Sequence, residues 1–254
     1  MKRLEEKLTL RGPDVTCLRH INPELEVLYV LQGTVTAERD GQRYTLTAGQ
    51  ALLIPPYHLH VFQPGPGTRA RVYMMAESVY RDAMDRVGCP EGPAVTVPPA
   101  AGAYLEELEA GRSRWRPDTY AGTVLALFRN LFAETATRVF PADTEDWDRV
   151  LLDYLADHLA EGPTVAELAA RVGRSPRQLG QAFRARYGIR LPELIRNMQV
   201  DRAVTMLETG TKTVTEIAAE CGFSSLRSFN RVFYEAMGET PTQCRRRVRN
   251  EERK

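Results

Sequence analysis

Up to about residue 75, apolar and polar positions alternate with a period near two in LEVLYVLQG, TVTAERDGQRYTLTAGQ, ALLIPP and HVFQPG. That period puts successive side chains on opposite faces of short strands. Asp40-Gly41, Gly49 and Pro/Gly clusters divide the runs, and Asp-Gly between two of them predicts a tight hairpin. Several short strands at this spacing predict an antiparallel sandwich or small barrel. The stretch GCPEGPAVTVPPAAG, Gly88 to Gly102, reads as a loop that closes this unit. Beyond it the period lengthens to that of helices, a short one from Tyr104 to Ala110 and a long one from Thr119 to Val139. Val124, Leu127, Phe128, Leu131 and Phe132 form an apolar stripe on the long helix. Such a stripe packs on its own domain or forms a seam with a second copy, and the pattern leaves both open. Pro141 ends this helix, and from the acidic PADTEDWDR to residue 249 only helices are predicted. The expected organisation is a β-barrel over 1–100, a helical dimerisation or linker segment over 101–141 and an all-helical domain over 142–254, hence an α+β chain of two domains.

The helical part contains a repeat. Val165, Leu168, Ala169, Val172 and Gly173 recur 49 residues later as Val214, Ile217, Ala218, Cys221 and Gly222. Ser175, Leu179, Phe183 and Gly188 recur 50 residues later as Ser225, Phe229, Phe233 and Gly238. The one-residue slip falls in the turn, where a loop tolerates it. Each copy, 164–188 and 213–238, has a first helix with a small Ala, a turn containing Gly, and a second helix that Ser caps. Ser175 is followed by Pro176, a favoured residue at the first helical position. This is the layout of a helix-turn-helix, whose second helix enters the major groove of DNA. Between the copies, LPELIRNMQVDRAVTMLETG predicts a helix of about sixteen residues, roughly 24 Å long at 1.5 Å per residue. It spaces the copies for adjacent grooves.

Charge agrees with this reading. The chain is formally +1 overall, but residues 162–249 hold 15 Lys and Arg against 8 Asp and Glu, whereas 141–161 hold 1 against 7. A basic block suits a polyanion or an ordinary solvated helical surface. Cys17, Cys89, Cys221 and Cys244 lack CxxC spacing, which predicts buried thiols in a reducing compartment. No apolar run approaches the ~20 residues of a spanning helix. MKRLEEKLTLRG lacks a signal-like apolar region, so a cytoplasmic protein without membrane contact is expected.

IAAECGFSSLRSFNRVFYEAMGETPTQCRR resembles the second motif of the AraC/XylS-type transcription regulators, with Ile217, Ala218, Cys221 to Ser224, Phe229, Arg231, Phe233, Gly238, Thr240-Pro241 and Arg245 in place. The resemblance covers about residues 146–249. It departs at Tyr234 and Cys244, where a basic and an aromatic residue are usual, and at Gln181, where the family often has Arg. The resemblance implies binding to double-stranded promoter DNA, most often as an activator working with RNA polymerase. Ser175, Arg177, Gln178, Gln181 and Arg184 are the expected DNA-facing residues of the first unit, and Ser224, Ser225, Arg227, Ser228 and Arg231 those of the second. Arg pairs bidentately with guanine and Gln with adenine.

The segments RHINPELEVLYVLQG and GQALLIPPYHLH resemble a cupin, the small β-barrel that serves many of these regulators as effector-binding half. Gly33 follows Glu26 by seven, and Gly49, Pro55 and His60 keep the second motif's spacing. The resemblance places metal-ligand positions at His20, Asn22, Glu26 and His60, with Asn22 in place of one His and Tyr57 in place of a Gly. A 2-His-1-carboxylate set of His20, Glu26 and His60 suits a divalent transition metal, or else the histidines are hydrogen-bonding walls of a cavity. No cofactor is required in the second case. Strand parity adds Leu28, His58 and Phe62 to the side of His20, Glu26 and His60, as a pocket for a small effector such as a sugar. A homodimeric, non-enzymatic transcription regulator is therefore expected. The alternative is a metal-dependent cupin enzyme with an accessory DNA-binding domain.

Overall fold

The computed structural model describes residues 9–10, 17–90, 92, 94–110, 117–133, 137–138 and 146–251. The chain forms two compact units, one of residues 1–16 and 22–143 and one of residues 17–21 and 144–254. Val139 and the expected boundary at 139–146 lie almost wholly outside the described residues.

The first unit opens with strand β1 (Thr9–Leu10); strand β2 (Cys17–His20) counts with the second unit, and the first continues with β3 (Leu25–Gln32), β4 (Thr34–Arg39), β5 (Gln42–Thr47), β6 (Gln50–Ile54), β7 (His60–Pro64) and β8 (Arg69–Met75). Helix α1 (Glu77–Val87), strands β9 (Cys89–Pro90) and β10 (Ala94–Thr96), helices α2 (Pro99–Ala110) and α3 (Pro117–Leu131), and strand β11 (Thr137–Arg138) follow. One sheet runs β1-β8-β3-β6-β10 and another β2-β7-β4-β5. Asp40 and Gly41 sit at φ 51 and 81 and join β4 to β5, with Arg39 opposite Gln42. Positive φ at both central residues is the mark of a two-residue hairpin, as Asp-Gly predicted.

The period of two decides where β3 points. Leu25 and Val27, with Ala51, Leu53, Tyr73 and Met75 of the neighbouring strands, pack on the helices through Val124, Leu127, Phe128 and Leu131, all buried. Glu26, Leu28 and Val30 alternate with them and are equally buried on the opposite face. There Glu26 meets His60 of the second sheet, so that face looks into the space between the sheets.

Three expectations are corrected. Helix α1 lies where none was expected, although Val79, Tyr80, Ala83, Met84 and Val87 have helical spacing and four of the five are buried. The Pro/Gly stretch after Gly88 is not one loop: it contains β10, with buried Val95 opposite Ala51, and the start of α2. Helix α3 stops at Leu131 rather than running on to Val139. Thr137 and Arg138 instead pair with Pro90 and Cys89, in keeping with the strand preference of a β-branched residue. Of the two destinations open to the α3 stripe, the structure shows the first: its five residues belong to the unit's own core.

From residue 146 on, the elements described in the second unit are all helical: α4 (Asp146–His158), a 3-10 turn (Leu159–Glu161), α5 (Val165–Arg171), α6 (Pro176–Tyr187), α7 (Leu191–Thr209), α8 (Val214–Glu220), α9 (Leu226–Met237) and α10 (Pro241–Glu251). Helix α7, 19 residues and roughly 28 Å long, is flanked by α6 and by the set α8, α9 and α10. All four cysteines are buried, and burial raises the Cys221 thiol to about 11, so it stays protonated and unreactive. No helix among the described residues is long and apolar enough to cross a membrane.

Candidate functional site

The two copies of the repeat fold alike down to single hydrogen bonds. Thr164 and Thr213 cap α5 and α8, each in a capping box with the Glu three residues on, Glu167 and Glu216. Arg174 N donates to Ala169 O at 2.9 Å, and Phe223 N, 49 residues later, to Ala218 O at 3.0 Å. Gly173 and Gly222 take φ 66 and 80 to turn the chain. Ser175 and Ser225 cap α6 and α9, which end at left-handed Gly188 and Gly238. These positions repeat because backbone geometry dictates them.

Each second helix buries one side and offers the other. Leu179 and Phe183 of α6, and Phe229, Val232 and Phe233 of α9, are buried. Arg177, Gln181 and Arg184 share the outer face of α6 at spacings of four and three, and Arg227, Arg231 and Tyr234 share that of α9; all six are exposed. Ser175 and Ser225 are caps: their side chains accept from the backbone N–H of Gln178 and Ser228. Gln178 completes its cap, its Oε1 accepting from Ser175 N and Oγ at 2.9 Å each. Bidentate pairing to adenine needs that same oxygen, so Gln178 must leave the cap to read a base. Arg231 pairs with Glu235 at 2.8 Å, an exposed contact that yields readily. Ser224 is exposed in the turn and Ser228 half-buried.

Sequence reasoning left out Leu226, Asn230 and Tyr234, all exposed on α9. The 50-residue offset was the available signal, since it sets Tyr234 on Arg184 and Leu226 on Pro176. Some of the basic residues serve the fold instead. The guanidinium groups of Arg171 and Arg174 lie 4.7 Å from the ring centroids of Tyr154 and Trp147, which ties the first helix-turn-helix to α4. Arg186 Nε and Tyr187 Oη both donate to the buried Asp148 Oδ2, at 3.2 and 3.1 Å. Burial, then the Asp148 charge, raises the Tyr187 hydroxyl well above its ordinary range and keeps it a donor.

The capping boxes give a pH prediction. Hydrogen bonds from the backbone and side chain of Thr164 and Thr213 hold the carboxyls of Glu167 and Glu216 below the ordinary value of 4.5. A depressed folded-state pKa contributes stability above the unfolded value, and this is lost as pH falls through the folded one. Thermal melting of Glu167→Gln/Glu216→Gln should therefore fall less steeply than wild type on acidification from about pH 5 to about pH 3. Parallel curves would deny the boxes that role.

In the other unit Glu26 and His60 are both 2% exposed, with Glu26 Oε2 3.3 Å from His60 Nε2. Asn22 Nδ2 donates to Glu26 Oε1. Carbonyl oxygens only accept, so His60 Nδ1–H donates to His58 O at 2.9 Å and His20 Nδ1–H to Leu18 O at 2.7 Å. A backbone carbonyl thereby orients each ring through Nδ1. Leu28 and Phe62 are buried, and the Phe62 ring lies 5.2 Å from that of His60.

His58 does not join this group. Its Nδ1 is 2.5 Å from Asp40 Oδ2 in the hairpin turn, and Asp40 Oδ1 accepts from Leu59 N. Burial opposes ionisation of Asp40, but the His58 hydrogen bond and charge, with Arg39, outweigh it and hold the carboxyl below its usual value. Parity misplaced His58 because it presumes a regular strand, whereas Tyr57 is left-handed at φ 65 and β7 begins only at His60.

Residues 5–146 match the model of the AraC-like ligand binding domain, and residues 168–247 that of a helix-turn-helix domain. The arabinose operon regulatory protein of Salmonella typhimurium is 23% identical over 235 residues, 85% of this chain and 83% of that protein. The HTH-type transcriptional activator RhaR of Pectobacterium carotovorum is 33% identical over 78 residues, 31% of this chain and 28% of its own length. Among solved structures, ToxT from Vibrio cholerae superposes with a TM-score of 0.64 at 12% identity, over 94% of each chain. ToxT with a bound unsaturated fatty acid gives 0.62 at 12% identity, over 94% of this chain and 91% of that one. At such identity the likeness is one of fold. The alternative of a metal-dependent cupin enzyme finds no support in these matches.

Proposed function

The chain belongs to the AraC-type transcription regulators, whose ligand-binding domain model alone matches more than half of it, and on that premise we propose how its own residues perform the regulation. The second unit binds promoter DNA with α6 and α9 in successive major grooves, read chiefly through Arg177, Gln181, Arg227 and Arg231. The observation that carries this is the repeated cap, turn and helix, with one buried and one basic face in each copy. Arg227→Ala should weaken a selected site by about tenfold or more while leaving random DNA nearly unchanged, the worth of one bidentate contact being roughly 1–3 kcal/mol. Equal weakening on both DNAs would reduce Arg227 to a phosphate contact.

The first unit binds a small metabolite between its sheets, with Glu26 and His60 as polar groups and Leu28 and Phe62 as apolar wall. The name of the Salmonella relative favours a sugar. Effector binding shifts the balance between arrangements of the molecule through its differential affinity for them. The relative named an activator favours activation. In this reading the working form is a cytoplasmic homodimer that contacts RNA polymerase. A ligand that prefers the native state raises its melting temperature, so candidate sugars are screened by thermal shift. Loss of the shift in Glu26→Gln is expected, and its retention would move the pocket elsewhere.

A second reading of the pocket is supported by the buried Glu26 and His60, whose ligand atoms lie 3.3 Å apart, with His20 the third residue of the set that the sequence suggested. Two imidazole nitrogens and a carboxylate, both rings oriented by backbone carbonyls, fit a divalent transition ion. Such an ion would supply a positive attachment point for an effector oxygen. Metal content of protein purified without chelators, beside His60→Ala, tests it: stoichiometric metal lost in the variant supports the reading, and metal-free wild type ends it.

A further inference from the structure

Leu226 is an anomaly on the face that offers itself to DNA. It is the first residue of α9, directly after the Ser225 cap, and is 39% exposed. The other aliphatic and aromatic residues of the helix's first two turns, Phe229, Val232 and Phe233, are buried. Leu226 also lies beside exposed Arg227, and Asn230 follows one turn on. In a helix-turn-helix the amino-terminal residues of the second helix are those that reach base edges. The only apolar group on a base edge in the major groove is the 5-methyl of thymine. A leucine at that place has no hydrogen bond to offer and can gain only from apolar contact.

We infer that Leu226 is a specificity-determining residue that reads the 5-methyl group of a thymine adjacent to the base contacted by Arg227. The inference rests on the DNA-binding reading above and deepens it. The copies differ here, since the corresponding position of α6 is Pro176, whose ring is fixed at the helix start. Leu226 is exposed at the first position of its helix, so Leu226→Ala is expected to leave the fold and the Arg227 contact in place.

The test uses the full chain and a duplex that it has selected from random sequence. Each thymine is replaced in turn by deoxyuridine, which removes only the methyl group, and affinities are measured for wild type and Leu226→Ala. Wild type should weaken about fourfold at one thymine of the second block, the worth of one methyl removed from water, about 0.8 kcal/mol. Leu226→Ala should bind the thymine and deoxyuridine duplexes alike, melt at the wild-type temperature, and select sites without that thymine. The inference is overturned if no substitution weakens wild type, or if Leu226→Ala keeps the same sensitivity. Leu226→Ala that binds DNA as wild type does but loses self-association or a protein partner overturns it equally. Failure of wild type to select any sequence would instead strike the DNA-binding reading itself.

Discussion

Leu127→Asp should unfold the first unit rather than release monomers from a dimer. Leu127 is fully buried among Val124, Phe128, Leu131 and the sheet residues Leu25, Val27 and Leu53. An ionised carboxylate there has no partner, and burying one costs more than the 4–5 kcal/mol that marks an exceptional substitution. Set against a typical domain stability of about 5–15 kcal/mol, that leaves little of the unit folded. Leu127→Ala, a cavity rather than a charge, should cost about 2–5 kcal/mol. Circular dichroism and size exclusion distinguish the outcomes. Loss of β-sheet signal with aggregation is expected. A well-folded Leu127→Asp monomer with an unchanged melting curve would mean that the stripe faces a second copy.

Gly222→Ala should damage the second helix-turn-helix far more than Gly173→Ala damages the first, although the two glycines hold matching places in the repeat. Both sit at positive φ, 80 and 66, where a side chain costs roughly 1–2 kcal/mol. At Gly173 a Cβ meets nothing within 4 Å, so that strain is the whole cost. At Gly222 the Cβ would stand 2.5 Å from Leu159 O, 2.9 Å from Gln199 Nε2 and 3.0 Å from Gly162 N. Two of these are backbone atoms of the 3-10 turn and its cap, which cannot swing aside. The turn must open, and with it the placement of α9, for a total of about 3 kcal/mol or more. Thermal melting of both variants, with affinity for a selected duplex, checks this. Equal destabilisation would show that φ alone matters and that the close approach yields freely.

The contrast between those glycines shows where the sequence runs out. The repeat was legible because caps, turn glycines and the small Ala are fixed by local backbone geometry, which a short stretch of residues encodes. The Ser175-x-x-Gln178 capping box was equally legible, and reading Gln178 only as a base contact passed over it. What an element touches is a different matter. Nothing near Gly222 in sequence announces Leu159 and Gly162, 63 and 60 positions away. The stripe of α3 is the same pattern whether it meets a sheet or a second copy. In the first unit, alternation placed Glu26, Leu28, His60 and Phe62 on buried faces, yet it failed at His58, where one left-handed residue, Tyr57, resets the count.

The account stands on two recognition helices reading one site, and selection of genomic fragments by the full-length protein tests that most directly. The affinity of the selected duplex is measured against salt and the contacts are mapped by footprinting. The expected result is a single enriched motif with two contact blocks about one helical turn apart, 10–10.5 base pairs, and a steep fall of affinity with salt. Arg177→Ala should relax one block and Arg227→Ala the other. Binding without preference for any sequence at moderate salt, or a site with one block only, would contradict it.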